Sequence, residues 1–326
     1  MRVLITGVNG FVGPHLVEFL QAERPDVEIV GLIKPGSPPV RPGVQALEAD
    51  LDVASSVEAA LGDVTADAVV HLAAQSSPQL SWSDPAGTLR TNLHGLLHLL
   101  EVVRRRAPIP RVVVVGSVEE YGAAAASELP LGEDAPLRPA SPYAVSKVAQ
   151  GFLALQYWLS HGVPTVRTRA FHHSGPGRAE SFAESSFARQ IAEIEAGLRE
   201  PVVRVGNLDV VRDFTDVRDV VRAYWLLLER GEPGEVYNVC RGTGVRMGEL
   251  LDELVAASGR RLDVRVDPER LRPSDVPVLV GDPGKLRRRT SWEPRIGLGR
   301  TMRDLLDDWR QKVSFKAEGA GARRGT

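Results

Sequence analysis

Apolar residues in the first half of the chain follow two alternating rhythms. Short unbroken runs rich in Val, Ile and Leu, at residues 3–6, 27–33, 68–72, 111–115 and 165–170, read as strands buried on both faces. Between them the apolar spacing changes to three and four. Residues 12–20 put Val12, Leu16, Phe19 and Leu20 on one helical face, and residues 56–61, 88–106 and 143–159 read as further helices. All-apolar strands alternating with helices predict an α/β protein with a doubly wound parallel sheet and right-handed crossovers.

Past residue 170 the rhythm breaks at Ser174-Gly175-Pro176-Gly177. A helix over 187–198, a strand over 202–205, a helix over 217–228 and a last helix over 301–313 follow, with Pro- and Gly-punctuated pieces between them. The helix at 217–228 is apolar enough to return to the first sheet. The expected organisation is a first domain over 1–170, rejoined by 209–238, and a smaller mixed α/β lobe over most of 171–313. A disordered tail, 314–326, rich in Gly, Ala and Arg, completes it.

Composition narrows the functional classes. A net charge of −2 gives no global basic field, so neither nucleic acid nor an anionic membrane is an expected partner. An anionic ligand would have to be gripped by local arginines. Cys240 is the only cysteine, so no internal disulfide can form, and its place in Val236-Tyr237-Asn238-Val239-Cys240 reads as a buried strand position. No apolar run reaches the ~18 residues that span a bilayer. Met1-Arg2 runs straight into a strand, leaving no room for a signal peptide, so a cytoplasmic protein is expected. His172 and His173 lack the companions a metal would need, and no metal is expected.

Between the first strand and first helix stands Thr6-Gly7-Val8-Asn9-Gly10-Phe11-Val12-Gly13. Gly7 suits a tight turn, Gly10 lets backbone approach a pyrophosphate, and Gly13 lets helix and strand pack closely, as in a Rossmann-type dinucleotide site. Strand two ends in Ile33-Lys34-Pro35 rather than in the acid that binds a ribose 2′-hydroxyl, so Lys34 tips the expected cofactor toward NADP, with NAD the alternative. Asp50-Leu51, after the third strand, is a candidate adenine-edge contact.

Tyr143 and Lys147 share one helical face, an arrangement suited to proton transfer on an alcohol, because a nearby cation lets a phenol act nearer neutral pH. Ser117 lies just past the end of a strand, in the crevice where α/β sheets bind ligands, and its hydroxyl could hold a substrate oxygen.

With these pieces on the page the chain resembles, over residues 2–313, the extended short-chain dehydrogenase/reductases that act on nucleotide sugars. The likeness lies in the glycine loop, His71-Leu72-Ala73-Ala74, Ser117-Val118-Glu119-Glu120-Tyr121-Gly122 and the Tyr143–Lys147 pair. Arg169-Ala170-Phe171-His172-His173-Ser174-Gly175-Pro176-Gly177, Arg212-Asp213-Phe214-Thr215-Asp216 and Leu271-Arg272-Pro273-Ser274-Asp275 resemble the GDP-mannose branch of that family. The resemblance implies that Ser117, Tyr143 and Lys147 form a catalytic triad. It adds Glu119 as the glutamate that dehydratases use in proton transfer. It implies that Phe11, Val12, Leu72, Ala73, Ala74 and Phe171 line the cofactor together with the glycines, Tyr143 and Lys147. Ser76, Ser77 and Ser81 would meet hexose hydroxyls. Arg212, Arg272 and Asp275 would hold the diphosphate and nucleotide ribose. His172 stands where the family has Asn and Arg178 where it has Gln, so both imply an altered sugar or phosphate contact.

Ser117 in the triad and the short segment 34–44 look more like the reductases of that branch than its dehydratases, so the resemblance implies NAD(P)H-dependent reduction at C4 of a GDP-4-keto-6-deoxyhexose, GDP-4-keto-6-deoxy-D-mannose to GDP-D-rhamnose. GDP-mannose 4,6-dehydration, or another epimerase or dehydratase reaction, is the alternative that Glu119 keeps open. A non-catalytic NAD(P)-binding scaffold is the remote alternative, since such proteins tend to lose the tyrosine or the lysine and both are present here. The apolar surface of helix 143–159, with Phe152, Leu155, Tyr157 and Trp158, exceeds what one face on the sheet needs, and the resemblance implies a homodimer through it and helix 88–106.

Overall fold

The structure, a computed structural model, describes residues 1–271 and 276–322, the side chains of 315–322 excepted. The first six strands are β1 (Arg2–Thr6), β2 (Glu28–Ile33), β3 (Val44–Glu48), β4 (Ala68–His71), β5 (Arg111–Ser117) and β6 (Thr165–Ala170). They are followed by β7 (His172–Ser174), β8 (Val202–Val205), β9 (Val211–Asp216), β10 (Val236–Val239), β11 (Gly244–Arg246), β12 (Asp263–Val266) and β13 (Val278–Leu279). A seven-stranded parallel sheet runs in the order β10-β6-β5-β4-β1-β2-β3. Strand order reverses between β1 and β4, and the loops leaving their carboxyl ends part there to open a crevice.

Alternation along the strands fills both faces. Val3 and Ile5 of β1 pack with Leu16, Val17 and Leu20 of α1 (Val12–Glu23), whereas Leu4 between them joins the opposite layer. That layer holds Val57 of α2 (Ala54–Leu61). Two short helices, α3 (Pro78–Ser83) and α4 (Pro85–Leu89), lead to α5 (Gly95–Val103), which contributes Leu96, Leu99 and Leu100, and then to α6 (Pro142–His161), which contributes Ala154 and Tyr157. Later in the chain come α7 (Ala183–Glu195), α8 (Val217–Arg230), α9 (Met247–Ser258), α10 (Gly284–Thr290) and α11 (Leu298–Ala322). The buried face of α8, with Val220, Val221, Tyr224 and Leu227, packs beside α1, and β10 adds the edge strand next to β6. A second core joins α7, α9 and α11 to β8 and β9. The lobe's strands mix parallel and antiparallel pairs: β9 runs antiparallel to β11 but parallel to β7 and β13, and β8 pairs with β12.

Two elements depart from expectation. The run expected as one helix over 88–106 is α4, a single wide helical turn at Arg90–His94, and α5. Such a turn interrupts the regular hydrogen-bond ladder, and the polar Asn92 at its centre is fully buried. The last helix continues to Ala322, so residues 314–322, expected to be disordered, are helical; residues 323–326 lie outside the described residues. Among the described residues no helix is long and apolar enough to cross a membrane.

Candidate active site

Close packing fixes the glycine loop on one wall of the crevice. Gly7 adopts φ +69°, and a Cβ there would stand 2.8 Å from the Ala73 nitrogen. At Gly13 it would stand 2.2 Å from the Val8 carbonyl oxygen. Gly10 closes the turn, its N–H donating to Gly7 O at 2.9 Å, and Phe11 caps the start of α1, where Val12 is the first residue. Thr6 ties the two loops together: its Oγ1 accepts the Ala73 N–H at 3.1 Å and meets His71 Nδ1 at 2.9 Å. Burial, with the charge of Lys147 second, pushes the His71 imidazole down to about 3, so it is neutral. Leu72, Ala73 and Ala74 continue the chain past β4, with the Ala73 backbone packed against Gly7.

Lys34 and Asp50, both expected to touch a cofactor, form an ion pair with each other at 3.4 Å where β2 and β3 end. Asn9 Nδ2 donates to Pro38 O at 2.7 Å, which folds the proline-rich segment over the glycine loop. Leu51 contributes its carbonyl to His98 Nδ1 at 2.7 Å and packs against Gly95 of α5.

The structure brings Ser117 and Tyr143 together. Ser117 ends β5, its Oγ accepting the Glu119 N–H at 3.2 Å, and its hydroxyl lies near enough to the Tyr143 phenol to favour the ionised form. Tyr143 sits in the first turn of α6, which Ser141 caps by accepting the Ala144 N–H at 3.1 Å and which Pro142 opens. Burial pushes the phenol up to about 12; the Ser117 hydrogen bond opposes this, the charges of Glu119 and Glu120 add to it, and that of Arg178 opposes it. Lys147, one turn on, is 4% exposed, and its Nζ donates to Val115 O and to Gln150 Oε1, both at 2.9 Å. Burial lowers its ammonium to about 8, with Glu120 opposing.

Behind this front row stands a polar layer that periodicity could not show. Gln150 passes its other end to the Asn92 carbonyl at 3.2 Å. Asn92 holds the Gln75 backbone through both side-chain atoms and donates to Ser146 Oγ at 2.8 Å, and Ser146 donates to Tyr143 O at 2.6 Å. The wide turn of residues 90–94 therefore locks the turn of α6 that carries the tyrosine. On the other side Glu120 accepts the Ser117 N–H at 2.8 Å and pairs with buried Arg169 at 3.0 Å. Arg169 donates to Tyr121 Oη, which donates to Asn238 Oδ1 at 2.7 Å. A sequence signal for this network did exist. Arg169 occupies a central strand, and an arginine there demands a buried partner.

Lobe residues close the site. Phe171 is buried, its N–H donating to Val239 O at 2.9 Å. His173 stacks on Phe11 with centroids 5.9 Å apart and donates from Nδ1 to Phe171 O. His172 packs against Phe214, 5.5 Å between centroids, and half-buried Arg212 donates to the carbonyls of Val211 and Pro277. Arg178 lies over the Phe11 and Phe182 rings and pairs with Glu184 at 3.4 Å. Of the serines, Ser76 is exposed and Ser77 caps α3 by accepting the Leu80 N–H. Ser81 is fully buried, its hydroxyl donating to Pro78 O at 2.6 Å. Arg272 and Asp275 lie outside the described residues.

A dinucleotide-type sheet with Ser117 at the end of β5 and Tyr143 and Lys147 on the following α6 has the layout of a short-chain dehydrogenase/reductase of the extended class. The family model described as GDP-mannose 4,6 dehydratase matches residues 4–305, and the chain belongs to that family. The GDP-6-deoxy-D-mannose reductase of Pseudomonas aeruginosa is 37% identical over 315 residues, which cover 96% of this chain and 98% of the relative. A GDP-mannose 4,6-dehydratase of Vibrio cholerae is 30% identical over 339 residues, 90% of each chain. The structure of RMD from Pseudomonas aeruginosa complexed with NADPH superimposes with a TM-score of 0.84 at 35% identity, covering 95% of this chain and 99% of that one.

Proposed function

We propose that this chain uses NADPH to reduce the C4 keto group of a GDP-linked 4-keto-6-deoxyhexose, giving the GDP-6-deoxyhexose. What carries this reading is the full-length likeness, at 37% identity, to a GDP-6-deoxy-D-mannose reductase. The glycine loop fits a dinucleotide, since a side chain at Gly7 or Gly13 would strike backbone within 3 Å and α1 presents its free N–H groups there. Phe11, Val12, Gly10, Leu72, Ala73, Ala74, Asp50 and Leu51 would hold it, and Lys34 at the end of β2 would take a 2′-phosphate, which favours NADP over NAD. When bound, the nicotinamide supplies the hydride.

The chain's own residues handle the proton and the substrate. Ser117 donates to the carbonyl oxygen and fixes its position. Tyr143 gives its proton to the alkoxide as it forms. A phenol near 12 is no obstacle to this, because a secondary alkoxide is the far stronger base. Lys147 places a cation behind the tyrosine, itself steadied by Val115 and Gln150. Arg212, Arg272 and Asp275 would hold the GDP end, and Ser76, Ser77 and His172 the sugar. Helices α4 to α6 would pair with a second copy in a homodimer. The lone, buried Cys240 fits a reducing compartment, the cytoplasm.

Glu119 and the family's own description favour a second reading, 4,6-dehydration of GDP-mannose. A dehydratase recycles its hydride within each turnover, whereas a reductase consumes its cofactor. Preformed GDP-4-keto-6-deoxymannose should therefore oxidise NADPH mole for mole. GDP-mannose with catalytic NADP⁺ and no reductant should stay unchanged. Many turnovers of that second mixture would replace the reductase reading with the dehydratase one.

A further inference from the structure

Of the two neighbouring charges Arg212 and Asp213 on β9, the proposed function employs only the first. Side chains alternate along a strand, so the two point to opposite faces. Arg212 is half-buried and Asp213 fully buried. Among the described residues the Asp213 carboxylate accepts only backbone N–H groups. Oδ1 takes that of Arg241 at 2.9 Å, and Oδ2 takes those of Gly242 at 2.9 Å and Gly281 at 3.3 Å. Burial pushes this carboxyl up to about 6, while the three N–H groups and the charge of Arg241 oppose it. Only an acid accepts at every position, since an amide of the same shape would set its own NH2 against one of the donors.

The carboxylate gathers three stretches of chain. Asp213 belongs to β9, Arg241 and Gly242 follow the end of β10, and Gly281 follows β13. Neither glycine has room to shift. Gly242 holds φ +87°, and a Cβ there would stand 3.0 Å from Pro283 Cδ. A Cβ at Gly281 would stand 2.5 Å from Phe171 Cζ and 2.7 Å from Cys240 Sγ. The Gly281 stretch is held from its other side as well: Leu131 N donates to Val280 O at 2.8 Å, and Asp282 N donates to Leu131 O at 2.9 Å. Arg212 depends on the same clip. It pairs with Val245 of β11 on one side and with Leu279 of β13 on the other. Because β13 is only two residues long, its own ladder with β9 is short. The bond from Asp213 to Gly281, two residues past Leu279, extends that seam, and Arg212 Nη1 reaches across it to Pro277 O at 3.4 Å.

Resting on the reading that Arg212 holds the GDP end, we infer that Asp213 is the positioning residue of that anchor. By gathering the N–H groups of Arg241, Gly242 and Gly281 it fixes the seam between β9 and β13 from which Arg212 reaches the diphosphate. Asp213 itself touches no substrate; it acts through the arginine beside it.

The test uses GDP as the probe and calorimetry as the readout. Asp213→Asn should bind GDP about tenfold more weakly than wild type, the scale of losing hydrogen bonds to a charged group. KM for the nucleotide sugar should rise with it while kcat stays nearly unchanged, the mark of lost binding rather than lost chemistry. NADPH binding, carried by the glycine loop, reports that the variant is folded. In an Arg212→Ala background Asp213→Asn should take nothing further from the residual GDP affinity, because the clip acts through that arginine. Equal losses with and without Arg212, or an unchanged GDP affinity in Asp213→Asn alone, overturn the inference. If Asp213→Asn does not fold, hydrogen exchange on the wild type decides. Saturating GDP should slow exchange at the Gly242 and Gly281 amides, since coupling between two sites is reciprocal, and unchanged rates with GDP bound overturn the inference. A wild type that binds no GDP brings down the functional reading and this inference with it, whereas the other failures leave that reading standing.

Discussion

At the scale of single residues the site combines a neutralising environment with two groups that must handle charge. Tyr143 is placed by the first turn of α6 and addressed by Ser117, and removing its hydroxyl leaves the surrounding packing in place. Tyr143→Phe should lower turnover by at least ~100-fold with the affinity for GDP-sugar nearly intact, the scale of general acid–base catalysis. Near-normal turnover would remove the residue from the mechanism. Lys147 makes a separate prediction in stability. Its folded value of about 8 lies below the ordinary 10.5, so below pH 8 the fold bears the full cost of an ammonium in a dry site, about 3 kcal/mol. Between 8 and 10.5 the unfolded chain holds the proton more tightly, so stability rises with pH across that window. Lys147→Met should abolish this rise while gaining stability below pH 8. Parallel denaturation curves for the two proteins across the window would contradict it.

The same scale shows what sequence reading reaches and what it misses. Ser117, Tyr143 and Gly7 were legible because each answers a local rule: a strand end, a helical spacing, a turn. Asn92, Gln150 and Glu120 were not. Their roles depend on segments 15 to 60 residues apart meeting behind the front row, as when Gln150 bridges Lys147 to the Asn92 carbonyl. Lys34 and Asp50 were read one by one, and nothing in their separate contexts announced that they pair with each other.

At the scale of elements, parallel strands were plain from their unbroken apolar runs, because both faces of the sheet are covered. The wide turn at Arg90–His94 was hidden because its residues keep helical spacing on either side; only buried Asn92 marks it. The sharpest element-level constraint is the approach of α1 to the glycine loop. A methyl group at Gly13 would sit 2.2 Å from a backbone oxygen, which no side-chain rotation relieves. Gly13→Ala should therefore push α1 outward, cost roughly 1–3 kcal/mol of stability, and weaken NADPH binding more than GDP-sugar binding. Calorimetry on both ligands measures the contrast, and equal losses for the two would argue that the helix start does not hold the cofactor.

At the scale of the whole molecule, the apolar surplus on α6 was visible in sequence but assigned to partly different residues. Tyr157, expected on the outside, is buried in the molecule's own core and donates to Glu101. The surplus that reaches solvent is Val145, Phe152 and Leu159, spaced by seven, and α4, which contacts α6, also exposes Leu89. Seven residues return nearly to the same side of a helix, so the three form one stripe along its outer face. Phe152 is 55% exposed and Leu159 73%, so the stripe offers apolar surface that a partner would bury. A second copy meeting the same stripe satisfies it with a two-fold, self-complementary contact. The chain should therefore run as a dimer at micromolar concentration. Phe152→Glu combined with Leu159→Glu should bring two carboxylates per copy into that seam and shift the mass to a monomer. Because neither side chain belongs to the crevice, NADPH affinity should survive in the monomer. A wild-type mass that is monomeric at micromolar concentration, or a double variant that stays dimeric, would move the interface elsewhere or remove it.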